Sequence, residues 1–247
     1  MKVTSPIDNR NYRDALLRFA EEHLISPRSN PIQAIRDLRS ILRSFPSQRT
    51  RAQLLLEAAD YFYSRGQHMT AMDLYNLVPR VRIAEYTQLA HLGSGRCCQK
   101  LGQFACAEYH FRRILRSYRA TPNAAVAADL LYRLFVRLGE FRKSAFVLHS
   151  KHKVLRTIAR GRHRPIVRVT AWLDLADSYL SLGEHPLCLR YLKKAVKIAQ
   201  EIDVVDREVV TIVVWAWRRN LTPMLRKYVR SDKWIEFDHA LQPLLEE

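Results

Sequence analysis

Glycine is scarce in this chain, with seven residues in 247, and no two of them form a loop able to cradle phosphate. Alternating Val/Ile/Thr runs are missing too, which argues against a β architecture and, with abundant Leu, Ala and Arg, for an all-helical one. Only four cysteines are present, too few for a disulfide framework in a chain of this size, so a reducing, intracellular compartment (cytoplasmic or nuclear) is expected. The longest apolar stretch, Val209 to Trp217, is too short to cross a bilayer. The first residues, MKVTSPIDNRNYRD, contain no apolar core of a secretory signal. Acidic residues are the other deficit: 24 Asp+Glu face 41 Lys+Arg, a formal net charge of +17. Such an excess speaks about partners and association rates rather than about fold.

What is present is periodicity. Trp172 to Ala195 reads as two amphipathic helices joined by a tight turn at Leu182-Gly183-Glu184. Trp172, Leu175, Ala176 and Tyr179 fall three and four apart on one helix face, and Cys188, Leu192 and Ala195 do so on the next. Gly183 stands where the first helix must stop, since glycine takes the left-handed cap conformation without strain. Using the turn glycine as a ruler, Gly66 gives Leu55, Ala59, Phe62, Ala71, Tyr75 and Val78 at equivalent offsets. Gly102 gives Gly95, Cys98, Ala107, Phe111 and Ile114, and Gly139 gives Ala128, Tyr132, Phe135, Ser144 and Leu148. Four of the seven glycines thus occupy one structural position.

This order of Trp, Leu, small, aromatic, Gly, small, large and Ala resembles the tetratricopeptide repeat (TPR). The resemblance is to a repeat class and covers roughly residues 31–200. It implies an all-α, right-handed superhelical α-solenoid of helix-turn-helix repeats. The expected organisation is an N-terminal helix and connection over 1–30, an array over 31–200 and C-terminal capping or docking helices over 201–247. The array comprises a partial repeat at 31–46 and the units around Gly66, Gly102, Gly139 and Gly183. Ser47 or Thr50 is expected to cap the Gly66 unit, and Asn123 to open the Gly139 unit, which should run to about Lys151. Gly139 to Gly183 spans 44 residues against 36 and 37 for the earlier intervals, so residues 151–167 read as a basic insertion. It carries Lys151, Lys153, Arg156, Arg160, Arg162 and Arg164 with no acid among them, either a solvated helix extension and loop or a contact for phosphate or an acidic protein.

No catalytic motif is present, neither GxSxG, HExxH nor CxxC, and the chain is expected not to be an enzyme and to carry no cofactor. Cys97, Cys98, Cys106 and His110 lie close together and invite a metal reading. The spacing does not resemble a zinc motif, and Cys98 takes a core slot that aromatics fill elsewhere, so no metal is expected.

In tetratricopeptide arrays the first helices line a concave groove that binds peptides or helices. The resemblance puts Glu57, Asp60, Arg96, Lys100, Arg133, Arg137, Asp174 and Asp177 on that lining, basic in the middle and acidic at both ends. The carboxylate clamp of chaperone-binding co-chaperones is not matched: its offsets hold Leu56, Asp60, Leu92 and Arg96. The implied function is a non-enzymatic adaptor or scaffold subunit of a hetero-oligomeric complex, binding a protein partner with an acidic segment. An RNA-binding or ribonucleoprotein-associated solenoid is the alternative, drawing on the same positive charge. The apolar run TIVVWAW, residues 211–217, either caps the array or docks a neighbouring subunit. If it docks, the purified protein exposes an apolar patch and self-associates in sedimentation; a monodisperse monomer assigns the run to the cap.

Overall fold

The structure is a computed structural model that describes residues 47–200, together with Asp14 upstream. The expected partial repeat at 31–46, the helix at 12–24 and the helices beyond 200 lie outside the described residues. Among the described residues the chain is all-helical, with eight α-helices and one short 3-10 segment. They are α1 (Gln48–Ser64), α2 (His68–Leu77), the 3-10 segment Val78–Val81, α3 (Ala84–Lys100), α4 (Phe104–Ser117), α5 (Pro122–Arg137), α6 (Phe141–Arg160), α7 (Pro165–Ser181) and α8 (His185–Gln200). They fall into two compact units, Met1–Arg119 with Val126–Ser144, and Ala120–Ala125 with Ala145–Glu247.

The four turn glycines are what make hairpins of these helices. Gly66, Gly102, Gly139 and Gly183 have φ of 78°, 74°, 71° and 76°, the left-handed conformation a β-carbon would strain. At each turn the residue after the glycine donates its N–H to the carbonyl five residues back. The pairs are Gln67 to Phe62 at 3.0 Å, Gln103 to Cys98 at 2.8 Å, Glu140 to Phe135 at 2.9 Å and Glu184 to Tyr179 at 2.9 Å. This Schellman arrangement satisfies a carbonyl that the helix end would otherwise leave open. The same residue's carbonyl then opens the second helix, accepting from Ala71, Ala107, Ser144 and Cys188. One local rule thus reverses the chain at all four places.

Helix starts follow equally local chemistry. Ser47 Oγ accepts the Thr50 N–H at 3.0 Å, so Ser47 caps α1. Thr121, not Asn123, opens α5: its Oγ1 accepts the Ala124 N–H at 3.2 Å and Pro122 follows as the first helical residue. Asn123 lies inside the first turn, a shift of two residues from the sequence expectation.

In the first unit α1 packs on α2, α2 on α3 and α3 on α4, and α1 also meets α3, the stacking of a helical-repeat solenoid. Phe62, Leu55, Ala59, Ala71 and Leu74 are wholly enclosed between α1 and α2. Burying each large apolar side chain stabilises by about 1.5–3 kcal/mol. Two glycines of α3 have a packing role. A β-carbon on Gly93 would lie 2.3 Å from the Tyr75 ring of α2, and one on Gly95 would lie 2.5 Å from the Phe111 ring of α4. Helix α3 therefore takes one ring from each neighbouring helix against bare backbone.

In the second unit α7 and α8 form the Gly183 hairpin, with Val169, Leu175, Ala176, Cys188, Leu192 and Ala195 buried between and around them. Trp172 and Tyr191 stack with centroids 5.4 Å apart. Helix α6 continues to Arg160, beyond the expected end near Lys151, so most of the extra length is two and a half turns of helix rather than an inserted loop. Only Gly161 to Arg164 separate it from α7, and Arg168 Nε donates to the Ala159 carbonyl at 3.2 Å, which ties the two ends together. The extension buries Val154, Leu155, Ile158 and Ala159, a helical spacing that explains why it stays folded.

Gly93→Ala and Gly95→Ala test the close packing by sign. An interior helical glycine replaced by alanine ordinarily stabilises by roughly 0.8–1.0 kcal/mol. Here overpacking costs about 1–3 kcal/mol and wins, so both variants should unfold at lower urea concentration than the parent. A higher midpoint would show that the rings yield freely.

Candidate functional site

The cations expected to line a groove are solvent-facing. Arg96 and Lys100 on α3, and Arg133 and Arg137 on α5, are all exposed. Each pair is spaced by four residues, which sets both members on one side of its helix. Arg133 is held by Asp129 one turn earlier, at 2.7 Å, and Arg137 lies over the Phe104 ring at 5.7 Å from its centroid. Each guanidinium thus has one local partner on the surface, an acid for Arg133 and a ring for Arg137.

Asp60, expected at the acidic end, is exposed, and its carboxylate accepts a hydrogen bond from the Tyr75 hydroxyl. Burial and this carboxylate push the Tyr75 phenol well above its ordinary range, while the Arg96 charge pulls the other way. Asp60 on α1 and Arg96 on α3 thus act on one phenol. Asp174 and Asp177 are exposed on α7 in the second unit. The aromatic positions behave as core: Phe62, Tyr75, Phe111, Phe135 and Trp172 are buried, whereas Tyr179 is only half-buried.

The basic stretch divides. Lys153, Arg160, Arg162 and Arg164 are exposed, Lys151 and Arg156 half-buried. Arg156 donates from Nη2 to the Tyr179 hydroxyl at 2.9 Å, which draws it onto the α7 surface. Two cations of α8 that sequence reasoning did not select, Arg190 and Lys194, join Arg156 and Arg160. Burial first, and then the charges of Arg190, Arg160 and Arg156, lower the Lys194 pKa from its ordinary value. Lys194 Nζ also lies 4.7 Å from the Trp172 ring centroid. The result is a group of four cations beside stacked aromatic rings, capable of receiving an anion. Their spacing on α8, four apart, was visible; that α8 would lie beside the end of α6 was not.

Behind this group His152 Nε2 and Ser178 Oγ lie 2.7 Å apart, both buried, and the imidazole packs on Tyr179 with centroids 4.6 Å apart. A Ser–His pair suggests an activated nucleophile. Ser178, however, is buried within α7, where backbone N–H groups are spent on helix bonds and no oxyanion donor is offered. Burial, followed by the charges of Arg156, Lys151 and His149, lowers the His152 pKa to about 4.

Among the described residues no helix is long and apolar enough to cross a membrane.

Histidine 152 has a measurable signature. Its pKa is about 4 when folded and 6.5 when unfolded, so between those values the unfolded chain binds the extra proton. Stability is full above pH 6.5 and declines as pH falls toward about 4. His152→Gln should lower stability at neutral pH yet show a shallower decline over that window in urea titrations. An unchanged slope would mean that His152 titrates alike in the folded and the unfolded chain.

No protein-family model matches the chain, and no curated protein does. Among solved structures it is similar to the crystal structure of BtubC (BKLC) from P. vanneervenii, at 11% identity and a TM-score of 0.46, over 96% of this chain and 88% of that one. A likeness at that level carries no statement about activity or partners.

Proposed function

We propose that the chain is a non-enzymatic helical-repeat adaptor of the tetratricopeptide type, a subunit of a larger intracellular assembly that captures an acidic segment of a protein partner. The observation that supports this most is the exposed set Arg96, Lys100, Arg133 and Arg137 on the first helices of two successive hairpins. Arginine presents a planar fork of donors that meets carboxylates in pairs. Asp60 and Arg96 on neighbouring helices give the lining alternating sign, which selects a ligand by charge order and rejects uniformly anionic chains. Binding would take the form of an extended or helical segment laid along the first helices.

A second reading, association with RNA, is favoured by a different observation. Arg156, Arg160, Arg190 and Lys194 crowd closely enough to depress a lysine, beside the Trp172 and Tyr191 rings. A phosphate backbone relieves such crowding and would release counterions on binding.

The two readings separate in one capture experiment from native lysate, run with and without nuclease. For the adaptor, a specific protein survives nuclease and is lost when Arg96, Arg133 and Arg137 are changed to Glu, with helical content retained. Recovery of RNA alone, abolished by moderate salt and by changing Arg156 and Arg160 to Glu, would overturn it.

A further inference from the structure

The Gly102 hairpin departs from the other three at three positions that ought to be apolar. Four residues before the turn glycine the chain has Phe62, Phe135 and Tyr179, but Cys98 here. Eight residues after it stand Leu74, Val147 and Tyr191, but His110 here. Eleven residues before it stand Leu55, Ala128 and Trp172, but His91 here. One hairpin therefore exchanges a ring for a thiol and two apolar side chains for imidazoles.

These exchanges converge. The Cys98 and Cys106 sulfurs and an imidazole nitrogen of His110 all lie within 4.8 Å of one another. Cys98 Sγ also lies 3.5 Å from the Met72 sulfur of α2. His91 Nδ1 and His110 Nδ1 are 3.0 Å apart. Cys98 and His110 are buried, while Cys106 is only partly so and gives the cluster a way in. The one-dimensional spacing, with seven residues between the cysteines, argued against a metal. In three dimensions the turn folds the end of α3 back on α4, and the one-turn separation of Cys106 and His110 sets both on the same helix face.

We propose that Cys98, Cys106 and His110 bind a thiophilic d10 metal ion, Zn2+ or Cu+, with the Met72 thioether as the fourth neighbour. Two sulfurs of cysteine, one of methionine and an imidazole are the soft donor set such ions select. The ligand atoms of a tetrahedral zinc lie roughly 3.3–3.8 Å apart, so the cluster closes on an ion by a contraction of about 1 Å. The partly exposed Cys106 is the side chain able to make that move. With Nδ1 of His110 engaged by His91, Nε2 is left for the metal, and His91 orients the ligand from behind. Both cysteines bind a metal ion as thiolates. Zn2+ replaces their two protons, which pass to solvent, and leaves a site with no net charge. An ion there would tie α2 to the hairpin of α3 and α4, whose first helix carries Arg96 and Lys100.

The test uses the full chain, reduced and freed of metal under anaerobic conditions, titrated separately with Zn2+ and with Cu+ against chromophoric chelators. Co2+ serves as the optical probe of thiolate ligation. One ion per chain is expected, with thiolate-to-cobalt charge-transfer bands, an affinity for Zn2+ that rises with pH as two protons are displaced, and a raised unfolding midpoint. Cys106→Ser should abolish stoichiometric binding while leaving helical content intact, His91→Ala should weaken it about 10–100-fold, and Cys188→Ala should leave it unchanged. Because Cu+ binds thiolates more tightly than Zn2+ at most sites, coordination identifies the ion: four-coordinate Co2+ bands point to Zn2+, and their absence alongside stoichiometric Cu+ uptake points to Cu+. Absence of stoichiometric binding, binding indifferent to Cys106→Ser, or a Cys98–Cys106 disulfide formed in air by a reduced protein that takes up neither ion would each overturn the proposal.

Discussion

Everything described in this fold depends on a single backbone hydrogen bond made four times: the N–H after a left-handed glycine reaching the carbonyl five residues back. That bond stops the first helix and sets the angle at which the second begins. It recurs at the same place relative to the apolar stripe, four residues after Phe62, Cys98, Phe135 and Tyr179. The hydrophobic pattern need only repeat, and the hairpins build themselves. A β-carbon at any of these four positions would cost about 1–2 kcal/mol in backbone strain, although each has open space around it.

This is why so much of the fold is legible in the sequence. Leu55, Ala59, Phe62, Ala71 and Tyr75 were placed in the core by counting from Gly66, and all five are buried. The same count found Ala107, Phe111 and Ile114 from Gly102. The limits are equally physical. Periodicity says that a helix continues but not where it ends: α6 runs past Lys151 because Val154, Leu155 and Ile158 keep the stripe going, so the basic stretch is a helix extension followed by a short loop, one of the two readings the sequence left open. Asn123 and Thr121 are both good caps, and the choice between them is made by Pro122 as first helical residue, a signal that was present and passed over. The candidate cations of α3 and α5 were readable because exposure follows from the stripe. Arg190 and Lys194 were not, since their role depends on which helix lies beside them.

The Gly102 hairpin shows how a repeat diverges without losing its fold. Gly93 and Gly95 thin the backbone of α3 so that rings from α2 and α4 sit close, which shifts bulk out of α3 itself. With Cys98 in an aromatic slot, the volume is made up by Met72, Cys106 and His110 from neighbouring segments. Burial first, then the charge of His91, lowers the His110 pKa to about 4, so the imidazole stays neutral at ordinary pH. A buried neutral imidazole needs a partner for each nitrogen, and His91 supplies one. The energetic question at this hairpin is what the other nitrogen and the two thiols gain in return for apolar side chains that would pack better.

The charge excess raises a parallel question, since cations that crowd one another are a cost the fold does not require. Asp129 steadies Arg133 within one helix and Tyr179 accepts from Arg156, so part of the positive charge is absorbed by local geometry. Lys194 is different: burial and three neighbouring arginines all act against its charge. The Trp172 and Tyr191 rings beside its Nζ, at 4.7 and 5.4 Å from their centroids, offset part of that cost. The same reasoning applies to Arg96 and Lys100 with less force, because water screens both and Asp60 shares the phenol that Arg96 acts on. The two basic groups therefore differ in kind: mutual crowding is felt at Lys194, whereas Arg96 and Lys100 stand exposed to screening by water.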